Sequence, residues 1–197
     1  MRIGFLHLTK TRLYVLAALA GAFALPTALF AAESHHVVVV VWDGMRPDFV
    51  SEQNTPTLWK LAREGVVFRN HHAVYLSATN VNGVALATGD YPSHSGLIAN
   101  HEFRPNIDDR APVDVEAPHV VLKGDELSGG RYIAAPTVAE LVQRSGGRTV
   151  IAASKTVGLL HDRHFDTQKN NGVTLSAGVA WPNEVLGRVV AALGRLG

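Results

Sequence analysis

Three polar residues in this chain have the types and neighbours that phosphoryl or metal chemistry needs. Asp43 lies in VVVVVWDGMRPD, where an apolar run meets a Gly-containing turn. Ligands bind at the carboxyl edge of an open parallel sheet, and a carboxylate held there can take a metal ion. The plain alternative is an aspartate that only caps a turn. Thr79 lies in YLSATNVNGVALATGDYPSHSGLIAN, just ahead of a helix-forming stretch. Its plain role is as the helix N-cap, but a helix start also offers free N–H groups to a phosphoryl group. A threonine hydroxyl attacks phosphorus only if a base or metal activates it, and Asp43 is the residue that could hold that metal. Asn100 closes the same stretch.

The elements that must position these residues read as α/β. Val37 to Trp42 is continuous, apolar and β-branched, as in a strand buried on both faces. A helix follows from Thr55–Pro56 to Glu64, with Leu58, Leu61 and Ala62 on one face and Gly65 as its stop. Val66 to Tyr75 reads as a second strand with its exit loop, carrying His71 and His72 at its end. Val81 to Thr88 reads as a helix closed by Gly89. Residues 101–134, rich in Pro, Asp and Gly, read as a long excursion with a hairpin. Pro136 to Arg144 then reads as a helix and Thr149 to Ala153 as a strand. Glu184 to Leu196 reads as a helix with Val185, Val189 and Leu193 on one stripe. Strand–helix alternation predicts a parallel-rich sheet sandwiched by helices.

Composition narrows the function classes. With 47% apolar and 18% charged residues in 197, the chain can build a core. The absence of cysteine excludes disulfides and thiolate metal sites and leaves ten histidines as possible nitrogen ligands. Arg2, Lys10 and Arg12 account for the positive formal charge. Without them 15 basic residues face 17 acidic ones, a net of −2. There is no nucleic-acid-binding signature. Those three cations precede an apolar run, Leu13 to Leu25, then Pro26 and small residues. This is the layout of a secretory signal peptide over residues 1–32, with residues 33–197 as the working part. An uncleaved anchor over Leu13 to Phe30 is the alternative. Either way the expected location is periplasmic or secreted, and cleavage would leave no stable membrane span.

The stretch from about His36 to Pro105 resembles the type I phosphodiesterase and nucleotide pyrophosphatase branch of the alkaline phosphatase superfamily. The likeness is carried by the Asp-Gly-x-Arg-Pro-Asp turn (Asp43 to Asp48), TPTLWKLAREGVVF, Thr79 with Asn82 three residues on, and ATGDYPSHSGLIAN. A weaker echo runs through TVAELVQRSGGRTVIAASK. The resemblance implies an alkaline-phosphatase-like fold and two zinc ions. It implies Asp43 as a ligand of one zinc and Thr79 as both ligand and nucleophile. Asn100 would donate to a non-bridging phosphate oxygen. The substrate would be a small phosphodiester or a nucleotide, opened through a phosphothreonine. Threonine with asparagine, and no arginine in that place, is the diesterase-like pairing.

Departures from the family pattern stand at Leu76, Gly83 and Ser93–Gly96. The family's other Asp and His ligands come from a later half, so the chain reads as a truncated amino-terminal part. The alternative is a catalytically silent phosphate- or nucleotide-binding remnant. A sulfatase-like enzyme lacks its Cys/Ser-x-Pro-x-Arg context here. His161-Asp162-Arg163-His164-Phe165-Asp166 superficially resembles a ligand cluster but reads as a polar loop with exposed histidines. His94, His101 and His119 get the same reading.

Overall fold

The computed structural model describes residues 36–163, 172–176 and 179–193. The segment read as a signal peptide, residues 1–32, and His164 to Asp166 lie outside the described residues. So does the end of the expected helix beyond Leu193. The chain divides between Trp42 and Asp43 into two units.

In the first unit, Val37 to Trp42 forms no strand. Residue exposure falls only from 87% at Val37 to 53% at Trp42. β-Branched residues favour an extended chain, but a strand exists only as one side of a ladder, and no ladder bond to this run is found among the described residues.

The second unit holds, among the described residues, six α-helices and five strands in an α/β arrangement. The helices are α1 (Pro56–Glu64), α2 (Thr79–Thr88), α3 (Pro92–Ser95), α4 (Pro118–Ser128), α5 (Val138–Arg144) and α6 (Glu184–Leu193). The 3-10 helices Pro47–Phe49 and Thr156–Leu160 supplement them. Strands β1 (His101–Glu102) and β2 (Val113–Asp114) pair antiparallel. Strands β3 (Thr149–Ala153), β4 (Gly172–Ser176) and β5 (Val179–Trp181) form a second sheet in that order, β3/β4 parallel and β4/β5 antiparallel.

Local chemistry accounts for most boundaries. Pro56 starts α1 at a position where the missing N–H costs nothing, and Gly65 closes it. Thr55 does not cap it by side chain. Its hydroxyl instead exchanges bonds with Ser51, 3.1 Å from the amide and 3.2 Å from the carbonyl. The second expected strand, Val66 to Tyr75, is irregular and mostly exposed, so His71 and His72 end no strand. The excursion does contain the hairpin, β1–β2, but it also contains α4, which begins at Pro118 and stops at Gly129 in the left-handed region (φ 63°). Helix α5 carries a full capping box: Glu140 N–H donates to Thr137 Oγ1 and Thr137 N–H to Glu140 Oε2.

The core sits between α2 and the excursion. Val81 and Val84 of α2 pack with Leu97, Val113, Val115, Val120, Val121, Tyr132, Ile133 and Leu160, all buried. Gly124 lets α4 lie against the Tyr132 ring, where a Cβ would stand 2.0 Å from Cδ2. The Tyr132 hydroxyl donates to the Val115 carbonyl at 2.9 Å, and the Arg104 guanidinium lies 4.5 Å above the ring centre.

The loop expected to be polar and open is tied down where it is described. Asp162 and Arg163 are buried. Gln143 Nε2 donates to Asp162 Oδ2 at 2.6 Å. Arg163 Nη2 donates to Glu140 Oε1 at 3.2 Å, and Arg163 Nε lies 3.4 Å from Asp125 Oδ2. Buried charges persist only when paired, and this network joins α4, α5 and the chain that follows Leu160.

Candidate active site

Asp43 opens a turn completed by Gly44 at φ 78°, a backbone angle that suits glycine. Thr79 is not the cap of α2 but its first helical residue. The N-cap is Ala78, whose side chain has no oxygen. The Thr79 hydroxyl is therefore not spent on the helix and donates to Asp43 Oδ2 at 3.3 Å. The helix itself is fixed from both ends. The Asn82 carboxamide staples the preceding loop, donating to Ser77 Oγ and the Ala78 carbonyl and accepting from Val74 N–H, each at 3.1 Å. Gly89, left-handed at φ 70°, closes the other end.

Asn100 reaches the same helix start by a different route. Its backbone carbonyl accepts from Val115 N–H at 3.0 Å, continuing the β1–β2 pairing by one rung. Its side-chain oxygen accepts from Asn80 N–H, also at 3.0 Å. Because Oδ1 serves α2, the Nδ2 amide is the end left as donor. Thus Asp43 and Thr79 meet side chain to side chain, while Asn100 joins them through the residue after Thr79.

The sequence reading missed Lys155. It follows β3 by two residues, at the carboxyl end of a parallel pair, which is where a sheet presents ligand-binding groups. Its ammonium donates to Asp43 Oδ2 at 2.7 Å, the oxygen that also accepts from Thr79. The Lys155 bond and charge hold the Asp43 carboxyl below its ordinary range against the opposing effect of burial, with a lesser contribution from the Thr79 hydroxyl. The same pairing raises Lys155. Glu116, two residues past β2, is pushed up by burial and by Asp114.

Gly83 is explained by packing. A Cβ there would come within 2.6 Å of Val157 Cγ2 and 3.8 Å of His161 Nε2, so a side chain would collide with the 3-10 turn that follows Lys155. The remaining histidines do not gather at the site. His94 pairs with Asp90 at 2.7 Å, and His101 and His119 are exposed on β1 and α4. His161 is partly buried, which lowers its pKa.

A zinc ion accepts oxygen donors at about 2.0–2.2 Å. Asp43 Oδ2 and Thr79 Oγ1, oxygen donors 3.3 Å apart, are near enough to hold one such ion between them. The pair fits one edge of such a site. Among the described residues no group of three or more His, Cys, Asp or Glu could hold a metal ion, so the other donors are not among them.

The model of the type I phosphodiesterase / nucleotide pyrophosphatase family matches residues 37–185. The chain belongs to that family. Its fold is accordingly of the alkaline-phosphatase-like α/β class, the family is one of hydrolases, and metal dependence is general in it. No solved structure matches the chain. No helix among the described residues is long and apolar enough to cross a membrane.

Proposed function

We propose that the chain carries the nucleophile-bearing part of a zinc-dependent hydrolase that opens small phosphodiesters or nucleotide pyrophosphate bonds through Thr79. The observation that supports this most is the Thr79 hydroxyl on the first turn of α2, uncommitted to capping and 3.3 Å from Asp43 Oδ2. Asp43 and Thr79 would hold one of the family's two zinc ions; zinc in such a place supplies charge that lowers the pKa of a bound hydroxyl and stabilises entering and leaving oxygens. The chain's own residues supply the rest. Thr79 gives up its proton to solvent and forms the new P–O bond as one ester oxygen leaves with the electron pair, giving a phosphothreonine that still carries the substrate's other ester group and that water later opens. The amide end of Asn100 donates to a non-bridging oxygen. The start of α2 directs N–H groups at the same anion.

A second reading, a binding protein without turnover, is favoured by one observation: only two donors of the three or four that a stable zinc site uses are found among the described residues. Mixing the protein and Zn2+ with a nitrophenyl phosphodiester separates the two. The hydrolase reading expects nitrophenolate release and a phosphorylated Thr79 peptide by mass spectrometry after acid quench. It also expects Thr79→Ala to abolish both while the circular dichroism is unchanged. Turnover by Thr79→Ala within a few-fold of the parent would mean that another group attacks phosphorus. Binding of the ester without release would support the silent reading. We also propose export, with residues 1–32 removed as a signal peptide. The amino-terminal sequence of the protein recovered from the periplasm or medium tests it.

A further inference from the structure

Asp43 Oδ2 accepts from two groups of this chain at once, the Thr79 hydroxyl at 3.3 Å and the Lys155 ammonium at 2.7 Å. The lysine is not a loose surface side chain that happens to reach an acid. Its backbone carbonyl accepts from Gly158 N–H at 3.3 Å and from the Ser176 hydroxyl of β4, which is buried. The 3-10 turn that follows lies against α2 at Gly83, where there is no room for a Cβ. Strands β3 and β4 and helix α2 therefore fix the point from which the side chain springs. From that point the ammonium occupies the oxygen that a metal ion would need. A cation arriving there meets a like charge at contact distance, and the two cannot share the oxygen without strong repulsion.

We propose that Lys155 is a resident cation of the site: its ammonium holds Asp43 until a divalent ion displaces it. The proposal rests on the reading of Asp43 as a metal ligand. It assigns Lys155 a part in setting how readily the site loads. In the unloaded protein the lysine keeps the Asp43 carboxylate paired and in place beside Thr79; in the loaded protein it leaves that oxygen.

Two measurements on the full chain test it. A water-soluble carbodiimide joins a lysine to a carboxylate only where they touch. Peptide mass spectrometry should find an Asp43–Lys155 isopeptide without metal, and Zn2+ should suppress it. Zn2+ affinity, by competition with a chromophoric chelator, should be on the order of tenfold tighter in Lys155→Met than in the parent, because a like charge is gone. Lys155→Arg should stay near the parent, and Asp43→Asn should bind more weakly. The pair is half-exposed at both ends, so Lys155→Met should retain the parent circular dichroism. If Lys155→Met binds Zn2+ no tighter than the parent while Asp43→Asn is weakened, the lysine does not compete and the proposal fails with the ligand reading intact. If Asp43→Asn binds as well as the parent, Asp43 is not a ligand, and both fail.

Discussion

Replacing Gly124 by alanine should destabilise the protein, although alanine is the better helix former. Gly124 is buried in the middle of α4, and a Cβ there would stand 2.0, 2.6 and 2.9 Å from Cδ2, Cε2 and Cγ of Tyr132. The ring has little room to retreat. It is 4% exposed, and its hydroxyl is held by the Val115 carbonyl at 2.9 Å. Overpacking of this kind costs roughly 1–3 kcal/mol, and a ring caught on three carbons belongs at about 3. Moving the ring also loses a hydrogen bond worth about 1 kcal/mol. Helix propensity returns about 1 kcal/mol. The net is about 3 kcal/mol of destabilisation, or roughly 6–12 °C of thermal midpoint for a domain of this size. Gly187 is the control. It is in α6, and a Cβ on it would meet nothing within 4 Å, so Gly187→Ala should gain the helix term alone, about 1 kcal/mol. Thermal unfolding by circular dichroism of both variants against the parent decides it. If Gly124→Ala melts at or above the parent, the close packing of α4 on Tyr132, and with it the account of the core, is wrong.

Two pH-dependent outcomes follow from groups whose pKa the fold shifts. The Glu116 carboxyl is raised, first by burial and then by Asp114; a raised acid contributes stability that is present below its unfolded pKa and lost as pH rises through the folded one. Glu116→Gln should therefore melt higher than the parent at pH 7, with the gap closing toward pH 4; a lower midpoint at pH 7 would show the charge to be favourable. Burial pushes the Tyr132 hydroxyl up to about 12, so its protonated form adds stability that is complete below about 10 and is lost as pH rises through 12. Tyr132→Phe should cost about 1 kcal/mol at pH 8 through the lost bond to Val115. Denaturant titrations should show that deficit shrinking between pH 10 and 12, and a constant deficit would contradict the shift.

What is legible in the sequence is what local chemistry settles. Pro56 and Gly65 bound α1, Gly89 ends α2, and Thr149 to Ala153 is a strand, because each signal acts on its own backbone. Runs that depend on a distant partner are less legible. Val37 to Trp42 and Val66 to Phe68 have strand composition, yet no ladder to them is found among the described residues. Helix α4 is hidden by composition. Pro118 and Gly129 are ordinary start and stop signals, but Gly124 interrupts the apolar stripe, and only the Tyr132 ring shows why a glycine belongs there. Asp43 and Thr79 stand out as a motif. Lys155 shows itself only as a residue just past a parallel strand, and nothing in its neighbours says that it reaches back 112 positions to Asp43.

The one-residue offset at the start of α2 matters most for function. Had Thr79 been the N-cap, its hydroxyl would have accepted from an N–H of the first turn, and the helix would have gained roughly 0.5–2 kcal/mol over an alanine in that place. The chain instead has Ala78 at the cap and forgoes that gain. Three other features hold the helix start: the Asn82 carboxamide on the incoming loop, the Asn100 oxygen on Asn80 N–H, and Val81 and Val84 in the core. With the position of Thr79 secured by its neighbours, its own oxygen is left to Asp43. The same division of labour holds for Lys155, whose backbone is anchored by Ser176 and Gly158 so that its ammonium can leave Asp43 without the fold changing. Stability in this region resides in contacts that do not involve the Asp43 oxygen, which is what the proposed exchange of partners at Asp43 requires.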